Sequence, residues 1–373
     1  MNRCFFFLLF IPALVLAEPL YSPTWGFILD LPEGYEYVEG DGKDRFSFSG
    51  PSEAMFEIIV YNGVYGNMEE LVNDINRRLG NRGSADFFTY RSRQAAIIEL
   101  SFNNNSGWGL GLELPGASAG GRPPMLLAIS YGPSEIDALA LFHISALDSI
   151  IPSEADRHYP GPIMEYSYPR GEQKRVSLAS SGVSAMIREN DAEAAQVLIE
   201  REFNILLNYV DTPYWREAWI RYYRSIYRDS YDRTADAVSA LARHWGAAGV
   251  SGEAKRAFAQ KALEFVQDFH YERDFSGSDF LNLVTAVTEG RGDCDSRAML
   301  WALVLARADI RSAMMVSHHY SHAMGLADIE GTGARFEAHG IHWLVAETTA
   351  NINIGLIAQD VNDPAYWLGI IFE

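Results

Sequence analysis

Hydrophobic and polar positions change period several times along the chain. Two β-rich stretches, Arg45–Phe48 and Ala54–Tyr61, straddle a Gly-Pro turn. Met68, Leu71, Ile75 and Leu79 then fall on one helical stripe. Ala85–Tyr90, Gln94–Phe102, Gly107–Leu114 and Met125–Tyr131 read as strands, and Ser134–Ile151 as a closing helix. Prolines 160, 162 and 169, with Gly161 and Gly171, mark a boundary.

Beyond that boundary, residues 190–245 read as mainly helical. Thr212-Pro213 has the form of an N-cap followed by proline. Trp215, Trp219, Tyr222, Tyr223 and Ile226 make an aromatic stripe at helical spacing, which fits core packing better than a sugar or peptide groove. Ser251 is placed to cap a helix that runs through Phe269, presenting Phe258, Ala262 and Phe265. A second helix is expected from about Asp293 to Ala308. Strands are expected at Ala313–Ser317, His322–Ala327 and Trp343–Glu347, with residues 350–357 extending the sheet. The alternation of these patterns implies an α+β fold. Its expected divisions are a leader at 1–17, an α+β domain at 18–165, a linker and helical region at 166–250, and a last domain at 251–373.

Arg3, the apolar run Phe5–Leu16 and Ala17 resemble a secretory signal cut after Ala17, so a soluble periplasmic or extracellular mature form is expected. Of the two cysteines, Cys4 falls in that leader and Cys294 remains unpaired. A lone thiol in an oxidising compartment is either a buried apolar group or a chemical one. The formal net charge of -19 would repel phosphate backbones, which excludes nucleic acid as an expected partner.

Cys294 stands where the Gly290/Gly292 loop gives way to a helical pattern. A helix N-terminus there would favour thiolate over thiol, against the like charges of Asp293 and Asp295. Two histidine-bearing stretches follow, S317-H-H-Y-S-H-A-M324 and H339-G-I-H-W-L344. Their spacing specifies no converging ligand set, so neither metal nor cofactor is expected. His322 and Glu347 could complete a Cys–His–carboxylate line if their strands pair. Taken singly, each also has a dull reading, as a local hydrogen bond or a surface charge.

G290-R-G-D-C-D-S-R-A-M-L-W-A-L303, followed by H322-A-M and H342-W-L-V-A-E-T-T349, resembles the transglutaminase-like superfamily over about residues 253–350. Methionine stands for the tryptophan of the family's His-Ala-Trp, and Glu347 for its aspartate. The resemblance implies a papain-like core of helices against an antiparallel sheet. It gives Cys294 as nucleophile, His322 as base and then acid, and Glu347 as orienting carboxylate. Oxyanion or pocket roles fall to Gln267, Tyr271, Gly292 and Asp293, with the Cys294 backbone N–H as the leading donor. The N-terminal unit, which opens L-P-E-G-Y35, resembles small secreted PsbP/Mog1-like domains, carries no catalytic residues and suits protein or glycan binding. The implied reaction is acyl transfer through a thioester, on a peptide, protein or peptidoglycan stem-peptide amide. Hydrolysis is favoured over amine transfer, with a noncatalytic envelope binding or scaffold protein as the competing class.

Overall fold

The computed structural model describes residues 18–80, 84–116, 120–273 and 277–372, and its fold is α+β. The signal-peptide expectation lies outside the described residues. Among them, no helix is long and apolar enough to cross a membrane.

Strands β1 (Leu20–Tyr21) and β2 (Ile28–Leu29) form a short antiparallel pair at the start. The next strands are β3 (Glu36–Gly40), β4 (Arg45–Ser49), β5 (Met55–Tyr61), β6 (Ala85–Tyr90), β7 (Arg93–Phe102), β8 (Asn105–Glu113) and β9 (Met125–Pro133). They build one antiparallel sheet in the order β3-β4-β5-β9-β8-β7-β6. Period-two alternation gives it two apolar faces. Helix α1 (Met68–Arg78) covers one face through Met68, Leu71 and Ile75 against Ile98, Leu100 and Leu127. Asn67 caps it by accepting from the Glu70 N–H at 2.9 Å. A Cβ at Gly111 would lie 2.5 Å from Met68 Sδ, so the bare backbone lets α1 settle onto β8. Helix α2 (Leu139–Asp148) supplies Ala146 and Leu147 to the opposite face, over Phe56, Ile58 and Leu126. It begins later than expected, because 134–138 form a turn.

Short helix α3 (Pro162–Ser167) leads to a hairpin, β10 (Gln173–Leu178) with β11 (Val183–Arg188), which the sequence pattern did not announce. Helices α4 (Asp191–Leu206), α5 (Trp215–Arg233) and α6 (Ala235–His244) follow. Thr212 is not the cap of α5: its hydroxyl accepts from the Tyr214 N–H in a turn one step earlier. Arg221 of α5, 1% exposed, binds Glu202 of α4 at 2.8 Å and Glu33 of the N-terminal unit at 3.3 Å. Arg228 donates to the carbonyls of Asp148, Ile150 and Tyr159. These guanidiniums dock the first unit on the helices by satisfying carbonyl and carboxylate groups removed from water.

The remaining chain holds α7 (Glu253–Gln267), β12 (His270–Tyr271), α8 (Leu283–Glu289), β13 (Arg291–Gly292) and α9 (Cys294–Ala306). After them come β14 (Ser312–Ser317), β15 (His322–Ala327), β16 (Arg335–Ala338), β17 (Ile341–Ala346) and β18 (Leu368–Ile371). The sheet order is β16-β17-β15-β14-β18, antiparallel throughout. Residues 350–357 form turns, so the sheet is extended by β18 instead. Ser251 does not cap α7; Gly252 occupies that position with φ +51°.

Helix α9 is apolar nearly all round because it is enclosed nearly all round. Trp301 lies directly under Gly325 of β15, where a Cβ would come within 2.6 Å of its ring. The indole N–H finds the Ala259 carbonyl of α7 at 3.0 Å. One continuous core joins α4, α5 and α6 to α7, α8, α9 and this sheet.

Candidate active site

Local sequence fixes the first turn of α9. Gly290 ends α8 in a left-handed conformation, φ +69°, and β13 then pairs in parallel with β12. That ladder sets Tyr271 opposite Gly292. A side chain at Gly292 would collide with the Ser296 hydroxyl. Asp293 caps the helix: one carboxylate oxygen accepts from the Ser296 N–H at 2.8 Å, the other from the Leu281 N–H at 2.9 Å. Burial and the neighbouring Asp295 push its carboxyl up to about 7. Asp293 therefore builds the turn, and Gly292 gives it room.

Cys294 is the first residue of α9, 5% exposed, and its backbone N–H has no acceptor within the helix. The Ala323 backbone, one residue beyond His322, and the Tyr271 side chain lie near its sulfur. On the helix side the thiol lies 3.6 Å from Asp295 Oδ2. Burial pushes the Cys294 thiol far up, and Asp295 and Asp293 add to that. The direction opposes the lowering expected from the helix terminus, since desolvation and two acids outweigh a partial dipole charge. These surroundings favour the thiol over the thiolate.

His322 opens β15 and Glu347 follows the last residue of β17, and the two strands pair. His322 Nε2 lies 2.8 Å from Glu347 Oε2. The other carboxylate oxygen accepts from the Thr349 N–H and hydroxyl at 2.7 and 2.6 Å. Burial raises the Glu347 carboxyl, but the His322 and Thr349 hydrogen bonds more than offset this and leave it below its ordinary value. Glutamate thus meets the imidazole in spite of its extra methylene. With Nε2 engaged, Nδ1 is the ring nitrogen left for another partner. Cys294, Asp295 and His322 line one cavity of about 330 Å³.

Several residues around the site were invisible to local pattern. The Tyr223 hydroxyl of α5 donates to Asp295 Oδ1 at 2.6 Å, and Trp219 and Tyr222 line the same cavity. The aromatic stripe therefore packs at one end and walls the site at the other. Trp367 sets its ring 6.2 Å from that of His322, edge to face, where the HAM motif lacks a tryptophan. Arg297, 1% exposed, donates to the Phe269, Gly292 and Thr348 carbonyls at 2.7, 3.1 and 3.5 Å. It ties together the segments carrying Tyr271, Cys294 and Glu347. Its place at the head of the apolar run Ala298–Ala306 was the available signal.

Gln267 departs from its expected role. Its amide N–H groups donate to the Glu347 and Ile352 carbonyls at 2.8 and 2.9 Å, so they support the carboxylate strand rather than face the cavity. Tyr271, 43% exposed, stands beside the thiol with the Arg297 guanidinium over its ring. Of the other histidines, His318 lines the cavity and His319 stacks on Tyr366.

No family model matches the chain, and no curated protein matches it. Among solved structures, the crystal structure of a putative protease from Parabacteroides distasonis aligns over 86% of this chain and 70% of that one, at 10% identity. Its TM-score of 0.23 carries no argument about fold or function.

Proposed function

We propose that the chain is an exported, cysteine-dependent amide hydrolase that works through a thioester acyl-enzyme. The observation that carries this reading is the His322–Glu347 hydrogen bond, with Cys294 on the wall of the same cavity. A neutral thiol needs its base at the moment of attack. The Cys294 proton passes to His322 Nδ1 as sulfur bonds to the amide carbonyl carbon. The resulting imidazolium is bonded to the Glu347 carboxylate, so its charge is compensated where it forms. The Cys294 N–H, with the Tyr271 hydroxyl beside it, receives the oxyanion. His322 then returns the proton to the leaving amine, and the C–N bond breaks. Water, deprotonated by the same imidazole, cleaves the thioester and restores the thiol.

The substrate in this reading is a peptide, a protein or a peptidoglycan stem peptide, with the N-terminal unit as an accessory module. A noncatalytic binding or scaffold role is the second reading, favoured by the thiol being held protonated by burial. Incubating purified protein with peptides and with peptidoglycan fragments, and measuring newly released amines, separates the two. Hydrolysis requires release by the wild type and none by Cys294→Ala. Equal or absent release from both leaves the binding reading.

A further inference from the structure

The wall of the cavity has a chemistry that the hydrolytic reading does not use. Trp219, Tyr222, Tyr223 and Phe280 form an aromatic side, and Asp295 lies between that side and the thiol. Among the described residues, the charged side chains lining the cavity are Asp279, Arg273 and Asp295, and the imidazoles of His318 and His322 line it too. Arg273 and Asp279 pair with each other at 2.6 Å. Asp295 is held by two neutral donors, the Tyr223 phenol and the Cys294 thiol, and forms no salt bridge among the described residues. An acid without a salt-bridge partner, set beside aromatic side chains, suits a cation, which gains from the carboxylate and from any ring face it meets.

We propose that this cavity is a cation-selective substrate pocket in which Asp295 receives a protonated amine carried close to the scissile amide. The proposal rests on Cys294 being the nucleophile. Asp295 Oδ2 stands 3.6 Å from the sulfur. An ammonium bonded to that oxygen at about 2.8 Å can approach a carbonyl under attack by the sulfur. The α-amine of an N-terminal acyl residue is the substrate amine held nearest that carbon. Substrates with a free amino terminus next to the cleaved bond are therefore the class selected. The ammonium would also weaken the repulsion that Asp295 exerts on the developing thiolate, coupling recognition to activation.

Charge-matched methanethiosulfonate reagents test this directly. Rates of Cys294 modification are measured with the ethylammonium, ethylsulfonate and neutral methyl reagents. Each is divided by its rate with N-acetylcysteine amide, a neutral reference thiol. The normalised preference for cation over anion is expected to be about tenfold or more, and to collapse toward unity in Asp295→Asn. Because a ratio is read, any change in thiol pKa caused by the variant cancels. A wild-type ratio equal to the reference overturns the proposal while leaving Cys294 chemistry standing, and it does so even if the variant fails to fold. A preference that persists in folded Asp295→Asn also overturns it. Failure of all three reagents to modify the wild type would remove the nucleophile reading, and this proposal with it.

Discussion

Glu347 holds His322 by Nε2 at 2.8 Å, which sets the imidazole with Nδ1 turned away from the carboxylate. That tautomer is the one a base requires if it is to take a proton at Nδ1. Glu347→Gln can keep the contact, but an amide N–H donating to Nε2 would fix the proton on the wrong nitrogen. A fall in acylation rate on the order of 10³–10⁴ is expected, with circular dichroism unchanged. Glu347→Asp, which keeps the carboxylate, should lose less.

Asp295→Asn should act in the opposite direction on the thiol. Removing a carboxylate 3.6 Å from the sulfur takes away a group that keeps Cys294 protonated. In the wild type, the iodoacetamide rate is expected to keep rising with pH past the range where an ordinary thiol levels off. In the variant, the same curve should move to lower pH. A curve unmoved by the substitution would show that Asp295 does not control the thiol.

Glu347 also predicts a pH dependence of stability. Its carboxyl sits below its ordinary value in the folded protein, so the unfolded chain binds more protons in the window between the two values. Its contribution is fully present above the ordinary carboxyl pKa and is lost as pH falls through the folded one. Urea midpoints measured below about pH 4.5 should therefore drop less steeply in Glu347→Gln than in the wild type.

Arg297→Met should destabilise the fold by about 3 kcal/mol, since it strips charged donors from buried carbonyls of separate segments. Denaturant unfolding measures this. A loss below about 0.5 kcal/mol, the range of an ordinary surface change, would mean that the guanidinium does not tie the segments.

Gly325→Ala places a methyl group inside the contact distance of the Trp301 ring. Helix α9 must then shift away from β15, at a cost of about 1–3 kcal/mol. Because Cys294 begins that helix, the alkylation rate should change together with stability.

What could be read from the sequence was what local pattern encodes. The apolar run after Cys294 and the alternating strands around His322 and Trp343 are short-range signals, and the corresponding elements occur within a residue or two. The seven-stranded sheet was legible strand by strand for the same reason, although β3 was not. Long-range partners were not legible. Tyr223 reaches Asp295 across 72 residues, and Arg297 reaches Thr348 across 51. The β10–β11 hairpin alternates Val176 and Leu178, then Val183, Ala185 and Ile187, with mostly polar residues, but each strand is only 6 residues long, so its pattern is brief. Strand β18 completes the sheet from the chain's far end, where distance along the chain hides the pairing with β14.

Intact and peptide mass spectrometry after brief exposure to p-nitrophenyl acetate tests the account at its centre. One acetyl group should appear on Cys294, be released by hydroxylamine, be absent in Cys294→Ala and form far more slowly in His322→Ala. Acetylation elsewhere in the chain, or on Cys294 at the same rate without His322, would contradict it.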